Sequence, residues 1–261
     1  VTTAARQRFR ELHRQGLFLL PNPWDLGSAK LLVAAGFEAL ATTSSGFAAS
    51  LGRPDGSVSL DELVGHVAGL TAAVEVPVNV DAEHCFEDPA ATVEALAGAG
   101  AAGVSIEDFD PVSRGIDPLA TAVERVGLAA DAARRHGMVL TARAENHLHG
   151  VDDLDDSIAR LVAYRDAGAE VVYAPGLRRL DDIARVVAAV QVPLNVLALP
   201  GGPTTAELAA AGVRRVSTGG ALARAAYGEL LRAAAELRDQ GTTGYAERAV
   251  SSAELARAFG S

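Results

Sequence analysis

The chain has 261 residues, 49% hydrophobic and 21% charged, which is the composition of a globular protein and argues against a disordered one. Its formal net charge of −10 argues against a nucleic-acid or anionic-membrane partner, so an anionic ligand would need local positive charge. The single cysteine, Cys85, rules out an internal disulfide framework and suits a reducing cytoplasm; no leader pattern and no apolar run of ~18 residues points to a membrane.

In chain order, the patterning predicts a helix over 3–15 and a first strand at Phe18–Leu20, closed by Pro21, Asn22 and Pro23. Asp25 is placed to N-cap a helix that ends near Gly36. A second strand over 39–43 runs into a long loop, 44–57. Ser59, with Glu62 three residues on, makes a capping box for the next helix. The third strand spans 76–81, and Pro89 begins the helix after it. The fourth spans 104–107; a loop over 108–118 then leads to a helix ending near His136. The fifth is Val139–Arg143, with a polar loop over 145–153 and a helix to Ala167. The sixth is Val171–Tyr173, the seventh 193–197 and the eighth Arg215–Ser217, with helices over 180–189, 205–211 and 220–240 between and after them. A link over 241–244 leads to a last amphipathic stretch, Ser252–Phe259.

Eight strand–helix units of about 25 to 35 residues predict an α/β fold, a (β/α)8 TIM-type barrel with an added N-terminal helix. One domain covers 1–261, with 242–261 as a C-terminal helical extension. That last helix packs on its own barrel or is exchanged between subunits, so a homo-oligomer, dimer or tetramer, is expected.

In such barrels the site lies at the C-terminal ends of the strands. There the third strand ends in Asp81, with Glu83 two residues on, and the fourth in Glu107. Strand alternation puts Asp81 and Glu83 on one side, with Glu107 beside them. Three carboxylates at one rim repel one another unless a cation or proton intervenes. Oxygen-only donors suit Mg²⁺, or Mn²⁺, better than Zn²⁺. The competing role for such acids is helix capping or pairing with Arg; three together on successive strands favour the metal. Lys30 is the only lysine and falls in a helix, so Schiff-base and pyridoxal-phosphate chemistry is not expected.

His84 is expected to face away from Asp81 and Glu83, and His147 and His149, in the loop after Arg143, are general-acid candidates. His13, His66 and His136 read as surface residues, and Cys85 as a buried, inert thiol. Asn195, at the end of the seventh strand, binds a distal substrate carboxylate or caps a turn.

The motifs Thr42-Thr43-Ser44-Ser45-Gly46, Leu51-Gly52-Arg53-Pro54-Asp55, Asp81-Ala82-Glu83, Ile106-Glu107-Asp108 and Ala142-Arg143 stand in this order along nearly the whole chain. Together they resemble the isocitrate lyase / phosphoenolpyruvate mutase superfamily. The resemblance implies a Mg²⁺-dependent lyase acting on a small 2-oxo acid or related dicarboxylate. It would cleave a C–C or P–C bond, or decarboxylate, through an enolpyruvate-like intermediate. Carried over, Asp81 binds the metal most directly, and Glu83 and Glu107 act through water. Asp55 approaches from the second loop, backbone N–H groups near Ser45, Gly46 and Phe47 hold the substrate carboxylate or oxyanion, and Arg143 binds substrate oxygens. Lyases of the superfamily carry a Lys-Lys/Arg-Cys-Gly-His loop after the fourth strand. Residues 109–117 here hold no Cys, Lys or His, so cleavage that uses that Cys as acid is not expected. Glu83 and Glu145 stand where many members have Asp, and His84-Cys85-Phe86 where Gly is common.

Two other classes remain. Gly219-Gly220, opening the last barrel helix, fits a phosphate-binding barrel enzyme of sugar-phosphate or heterocycle metabolism. The third is a non-catalytic barrel.

Overall fold

Residues 2–260 are described by a computed structural model; Val1 and Ser261, the ends of the expected domain, lie outside the described residues. Eight parallel strands form one sheet: β1 (Phe18–Leu20), β2 (Leu40–Ala41), β3 (Val78–Asp81), β4 (Gly103–Glu107), β5 (Val139–Arg143), β6 (Val171–Tyr173), β7 (Leu194–Leu197) and β8 (Arg215–Ser217). Their hydrogen-bonded order is β1-β8-β7-β6-β5-β4-β3-β2. At the β1–β2 seam, Ala41 N donates to Pro21 O at 3.0 Å and Asn22 Nδ2 to Thr42 O at 2.7 Å. The barrel is therefore nearly closed, as eight alternating units predict.

The helices are α1 (Thr2–Leu12), α2 (Leu26–Ala34), α3 (Ser44–Ser50), α4 (Leu60–Ala73), α5 (Pro89–Gly98), α6 (Leu119–His136), α7 (Leu154–Asp166), α8 (Leu180–Val190), α9 (Thr205–Ala210), α10 (Ala221–Gln240) and α11 (Ser252–Phe259). Local chemistry starts them where expected. Asp25 and Ser59 both make full capping boxes, with Ser28 and Glu62. Every residue of β6 and β8 is buried, as short runs enclosed between a barrel interior and outer helices must be. No helix among the described residues is long and apolar enough to cross a membrane.

The N-terminal end of the barrel is sealed by α1. Phe9, fully buried, packs with Phe18, Val139 and Val171, the first residues of β1, β5 and β6. Gly103 leaves room for it, because a Cβ there would stand 2.6 Å from Phe9 Cε1 and 2.7 Å from Asn79 Oδ1. At the other end of the chain, α11 lies on α2 of the same chain, where Lys30 Nζ donates to Phe259 O at 3.3 Å.

Several expectations are corrected. The third strand starts at Val78, not residue 76. The loop expected over 44–57 begins with the helix α3, capped by the Thr43 side chain on Gly46 N. Its sequence, SSGFAAS, has no long apolar period to announce it. The loop over 108–118 contains a small hairpin, Phe109–Asp110 against Gly115–Ile116, too short for an alternation signal. His13 is buried: its ring packs edge-on to Phe9 and Phe18, and its Nδ1 lies 2.8 Å from Phe9 O. His66 is half-buried and stacks on Phe47 at 3.8 Å. The helical period placed both histidines correctly along the chain but not relative to the barrel end and to α3.

Candidate active site

Register brings the acids to one rim. Glu107 pairs directly with Arg143 across β4 and β5, and Asp81 with Ser105 across β3 and β4. Arg143 then faces three carboxylates: its Nη1 is 2.7 Å from Asp81 Oδ1, its Nη2 3.1 Å from Glu107 Oε2, and its Nε 2.8 Å from Glu145 Oε1. The guanidinium also lies 5.2 Å from the centre of the Tyr173 ring.

Glu83 joins the group, but not by strand alternation. It lies beyond β3, at φ 51°, and the expected pleat does not reach it. Among the described residues five non-glycine residues have positive φ, and Glu83, Cys85 and Phe86 are three of them. Strain is thus concentrated in the turn that follows the metal-candidate strand. Arg125 holds this turn, donating from Nη2 to His84 O at 2.6 Å and Phe86 O at 2.7 Å. Glu107 N donates to Glu83 O at 2.9 Å. Sequence reasoning missed Arg125, because a helical Arg facing inward has no local signature. Cys85 is buried with its thiol pushed up to about 12 by desolvation, an inert group as expected.

The carboxylates outnumber the cation. Burial and the neighbouring Asp81 and Asp55 push Glu83 up to about 7. Burial likewise raises Glu107, with Arg143 only partly offsetting Glu145, Asp81 and Glu83. Glu145 is raised by burial too. Burial disfavours the charge on Arg143, but Glu145, Glu107 and Asp81 outweigh it and hold the guanidinium firmly protonated. Asp55 stands on the exposed turn above, raised by desolvation and Asp81 against a hydrogen bond from Ser44.

This surplus tests the fit of a divalent cation. The donors are all oxygens, and the single guanidinium of Arg143 stands among five carboxylates, those of Asp55, Asp81, Glu83, Glu107 and Glu145. Among the described residues no three Asp, Glu, His or Cys side chains converge into a metal cage. Asp81, Glu83 and Glu107 are the oxygen donors a cation with a partly water-filled shell could use, Asp81 being engaged here by Arg143 and by Ser44 N.

Two adjoining cavities meet here, sharing Ser44, Asp55, Arg143 and Leu148. One, about 350 Å³, runs down the barrel axis; the other, about 580 Å³, spreads beneath the hairpin and includes Glu83, Glu107 and His149. Of the three expected oxyanion donors, Gly46 N is used by Thr43 Oγ1 at 3.3 Å and Phe47 N by Thr43 O at 3.0 Å. Both serve the helix, while Ser45 lines the axial cavity beside Ser44. Ser44 N already donates to Asp81 Oδ2 at 3.1 Å. Asn195 is in the body of β7, not at its end. It is 1% exposed; its Nδ2 donates to Ser217 Oγ at 2.9 Å and its Oδ1 accepts from Arg215 Nε at 2.9 Å. It lines the axial cavity from inside the barrel, with Oδ1 and one Nδ2 N–H engaged by its neighbours, and so does not cap a turn.

His84 turns to Asp117, Nε2 to Oδ2 2.8 Å. His147 Nε2 lies 3.2 Å from Ser157 Oγ, inside the α7 cap, whereas His149 stacks on Phe109 at 3.7 Å and lines the hairpin cavity. Asp108, quoted above within a motif but given no role there, is a strut: it accepts from Glu145 N at 2.8 Å and Tyr164 Oη at 2.6 Å. At the phosphate candidate, Gly219 N is taken by Asn22 Oδ1 at 2.9 Å and Ala221 N by Thr218 O at 3.1 Å. That leaves little of a phosphate cradle.

Residues 9–238 match the phosphoenolpyruvate phosphomutase family. A crystal structure of a Burkholderia cenocepacia J2315 protein, provisionally described as a lyase/mutase, superposes with a TM-score of 0.95 at 50% identity, covering 100% of this chain and 97% of that one. The 2-methylisocitrate lyase of Escherichia coli K12 is 34% identical over 202 residues, 71% of this chain and 68% of the enzyme. The oxaloacetate decarboxylase of Paraburkholderia xenovorans LB400 is 32% identical over 216 residues, 76% and 70% of the two chains.

Proposed function

The chain belongs to the phosphoenolpyruvate phosphomutase family, within the PEP mutase/isocitrate lyase superfamily, and from that premise we propose a Mg²⁺-dependent lyase acting on a small 2-oxo acid or related dicarboxylate. The supporting observation is the surplus of carboxylates around Arg143 at the open end of the barrel. A divalent cation bound by Asp81, with Glu83 and Glu107 through water, would cancel that surplus and act as a Lewis acid toward a 2-oxo group.

The chain's own residues do the rest. Arg143 binds a substrate carboxylate or enolate oxygen by its paired N–H groups. Ser45 orients the carboxylate at the axial cavity. Asp55, whose raised pKa lets it hold a proton more readily than an ordinary carboxyl, exchanges that proton at the mouth. Phe109, Leu148 and His149 line the approach and exclude water. Decarboxylation releases CO2, C–C cleavage releases a carbonyl compound after its hydroxyl proton is removed, and P–C cleavage passes the phosphoryl group to water; each leaves an enolpyruvate-like anion that Arg143 stabilises until it takes up a proton. Without a Cys after β4, decarboxylation and phosphonate cleavage rank above isocitrate-type cleavage.

Titration of oxalate, a mimic of the enolpyruvate anion, tests this. Calorimetry should show binding with Mg²⁺ and none in excess EDTA. Equal binding in both removes the metal from the mechanism; no binding in either removes the enolate site. The protein is further expected to work as a homo-oligomer in a reducing cytoplasm, where the free Cys85 persists.

A further inference from the structure

Below the acid cluster the axial cavity ends on a cation that this chemistry leaves unused. Arg215, the first residue of β8, is 2% exposed. Its Nε donates to Asn195 Oδ1 at 2.9 Å, its Nη2 to Thr141 Oγ1 at 3.1 Å, and its Nη1 lies 3.3 Å from His13 Nε2. Every partner is neutral. Burial pushes His13 down to about 3, so its ring accepts as an uncharged imidazole. Arg215 itself is pushed down to about 9 by burial and by Arg143, with no carboxylate acting on it; Tyr173 is the acidic group that faces it.

A buried guanidinium without a counter-charge is costly, and folds keep such charges paired. Here five N–H groups meet three acceptors, so two N–H remain. Beside it on the floor Asn79, 2% exposed, has an Oδ1 with no partner, and its Nδ2 reaches only Val80 O at 3.5 Å. Turned over, that amide presents a donor instead. Both residues line the axial cavity of about 350 Å³. Thr141 and Arg143 are two apart on β5 and share a face, so the Thr141 contact of Arg215 lies about 7 Å below Arg143 along the strand. Arg143 and Arg215 line the same cavity at different depths, so a short chain with an anion at each end can reach from one to the other once a cation draws the acids off Arg143.

We propose that Arg215, with Asn79, receives the second carboxylate of a short dicarboxylate whose first carboxylate is held at Arg143. The proposal rests on the enolate-site reading above and narrows its substrate class to dianions. A monocarboxylate would leave Arg215 uncompensated.

Matched ligands read this out. Malate and 2-hydroxybutyrate differ by a carboxylate against a methyl, and calorimetry with Mg²⁺ gives their affinity ratio on the whole protein. Malate should bind roughly 10- to 100-fold tighter, the span of one charge-assisted contact. Arg215→Met should remove that preference and leave oxalate binding in place, and Arg215→Lys should keep part of it. A wild-type ratio near one, or a preference unchanged in Arg215→Met, overturns the proposal. Should Arg215→Met fail to fold, the wild-type ratio and the Arg215→Lys variant decide. Thermal unfolding at constant ionic strength covers an inorganic occupant: chloride that raises the wild-type Tm without weakening malate binding also overturns it. Loss of oxalate binding with the malate preference intact rejects the enolate reading alone; oxalate binding without the preference rejects the subsite alone.

Discussion

At Arg143 one guanidinium lies within hydrogen-bonding reach of Asp81, Glu107 and Glu145, while Glu83 and Asp55 stand just beyond. Replacing Asp81 by Ala leaves Arg143 two carboxylates, so the fold should hold. Turnover should fall by about 10³-fold or more as the cation and its polarising charge are lost. A steady-state assay with a melting curve checks both halves, and activity retained without added Mg²⁺ would sink the mechanism. Glu83 carries a different prediction. Its carboxyl is raised from 4.5 to about 7 in the folded chain, so the folded state holds a proton that the unfolded state has released. The stability contribution is complete below pH 4.5 and is lost as pH rises through about 7. Glu83→Gln should therefore stabilise the metal-free protein at pH 8 by about 1–3 kcal/mol and change little at pH 4. Urea denaturation in EDTA measures this; equal effects at both pH values would refute it. The identity of these residues was readable from acids at strand ends. That Glu83 arrives by a left-handed turn was not, because the strain is held by Arg125 from α6, about 40 residues away in sequence.

At the scale of elements, α3 and α4 are coupled through the stacked rings of Phe47 and His66. Burial pushes His66 from 6.5 down to about 4, so it stays neutral in the fold and takes a proton when unfolded. Its contribution is present above pH 6.5 and is lost as pH falls toward about 4. Relative to His66→Gln, the wild type should lose roughly 2–3 kcal/mol between pH 7 and pH 4.5. Chemical denaturation of both proteins across that range tests it, and parallel curves would show that the ring is solvated. The strands and most helices were legible, since apolar runs and caps are local: β1, β5, β6, β8 and α11 coincide with their expected bounds. The helix α3 and the hairpin at 109–116 were not. The first is set by a Thr43 cap and contact with α4; the second has two residues per strand and so no period.

At the scale of the molecule, the long helix α10 buries only Ala223 and leaves Leu230, Leu231 and Leu237 at 62%, 70% and 52% exposure. An apolar face of this kind beside the barrel is an expected self-association surface. The protein should sediment as a dimer or tetramer, and Leu230→Glu with Leu231→Glu should shift it to a monomer with its fold intact. A monomeric wild type at micromolar concentration would contradict this.

The sequence by itself determined the alternation of strand and helix, the (β/α)8 class, the acids and Arg at strand ends and the absence of a site lysine. Those signals are local, set by period, caps and residue chemistry within a few positions. Only the tertiary structure decided that Arg143 pairs with three carboxylates at once. The same holds for Gly46 and Phe47 spending their N–H groups inside α3, and for Asn195 lying beside Arg215 in register across the barrel strands. These outcomes depend on register between strands and on contacts between residues far apart in sequence, such as His13 and Arg215, 202 residues apart. Closing the barrel brings such residues together, and no local pattern encodes which of them will then compete for the same hydrogen bond or charge.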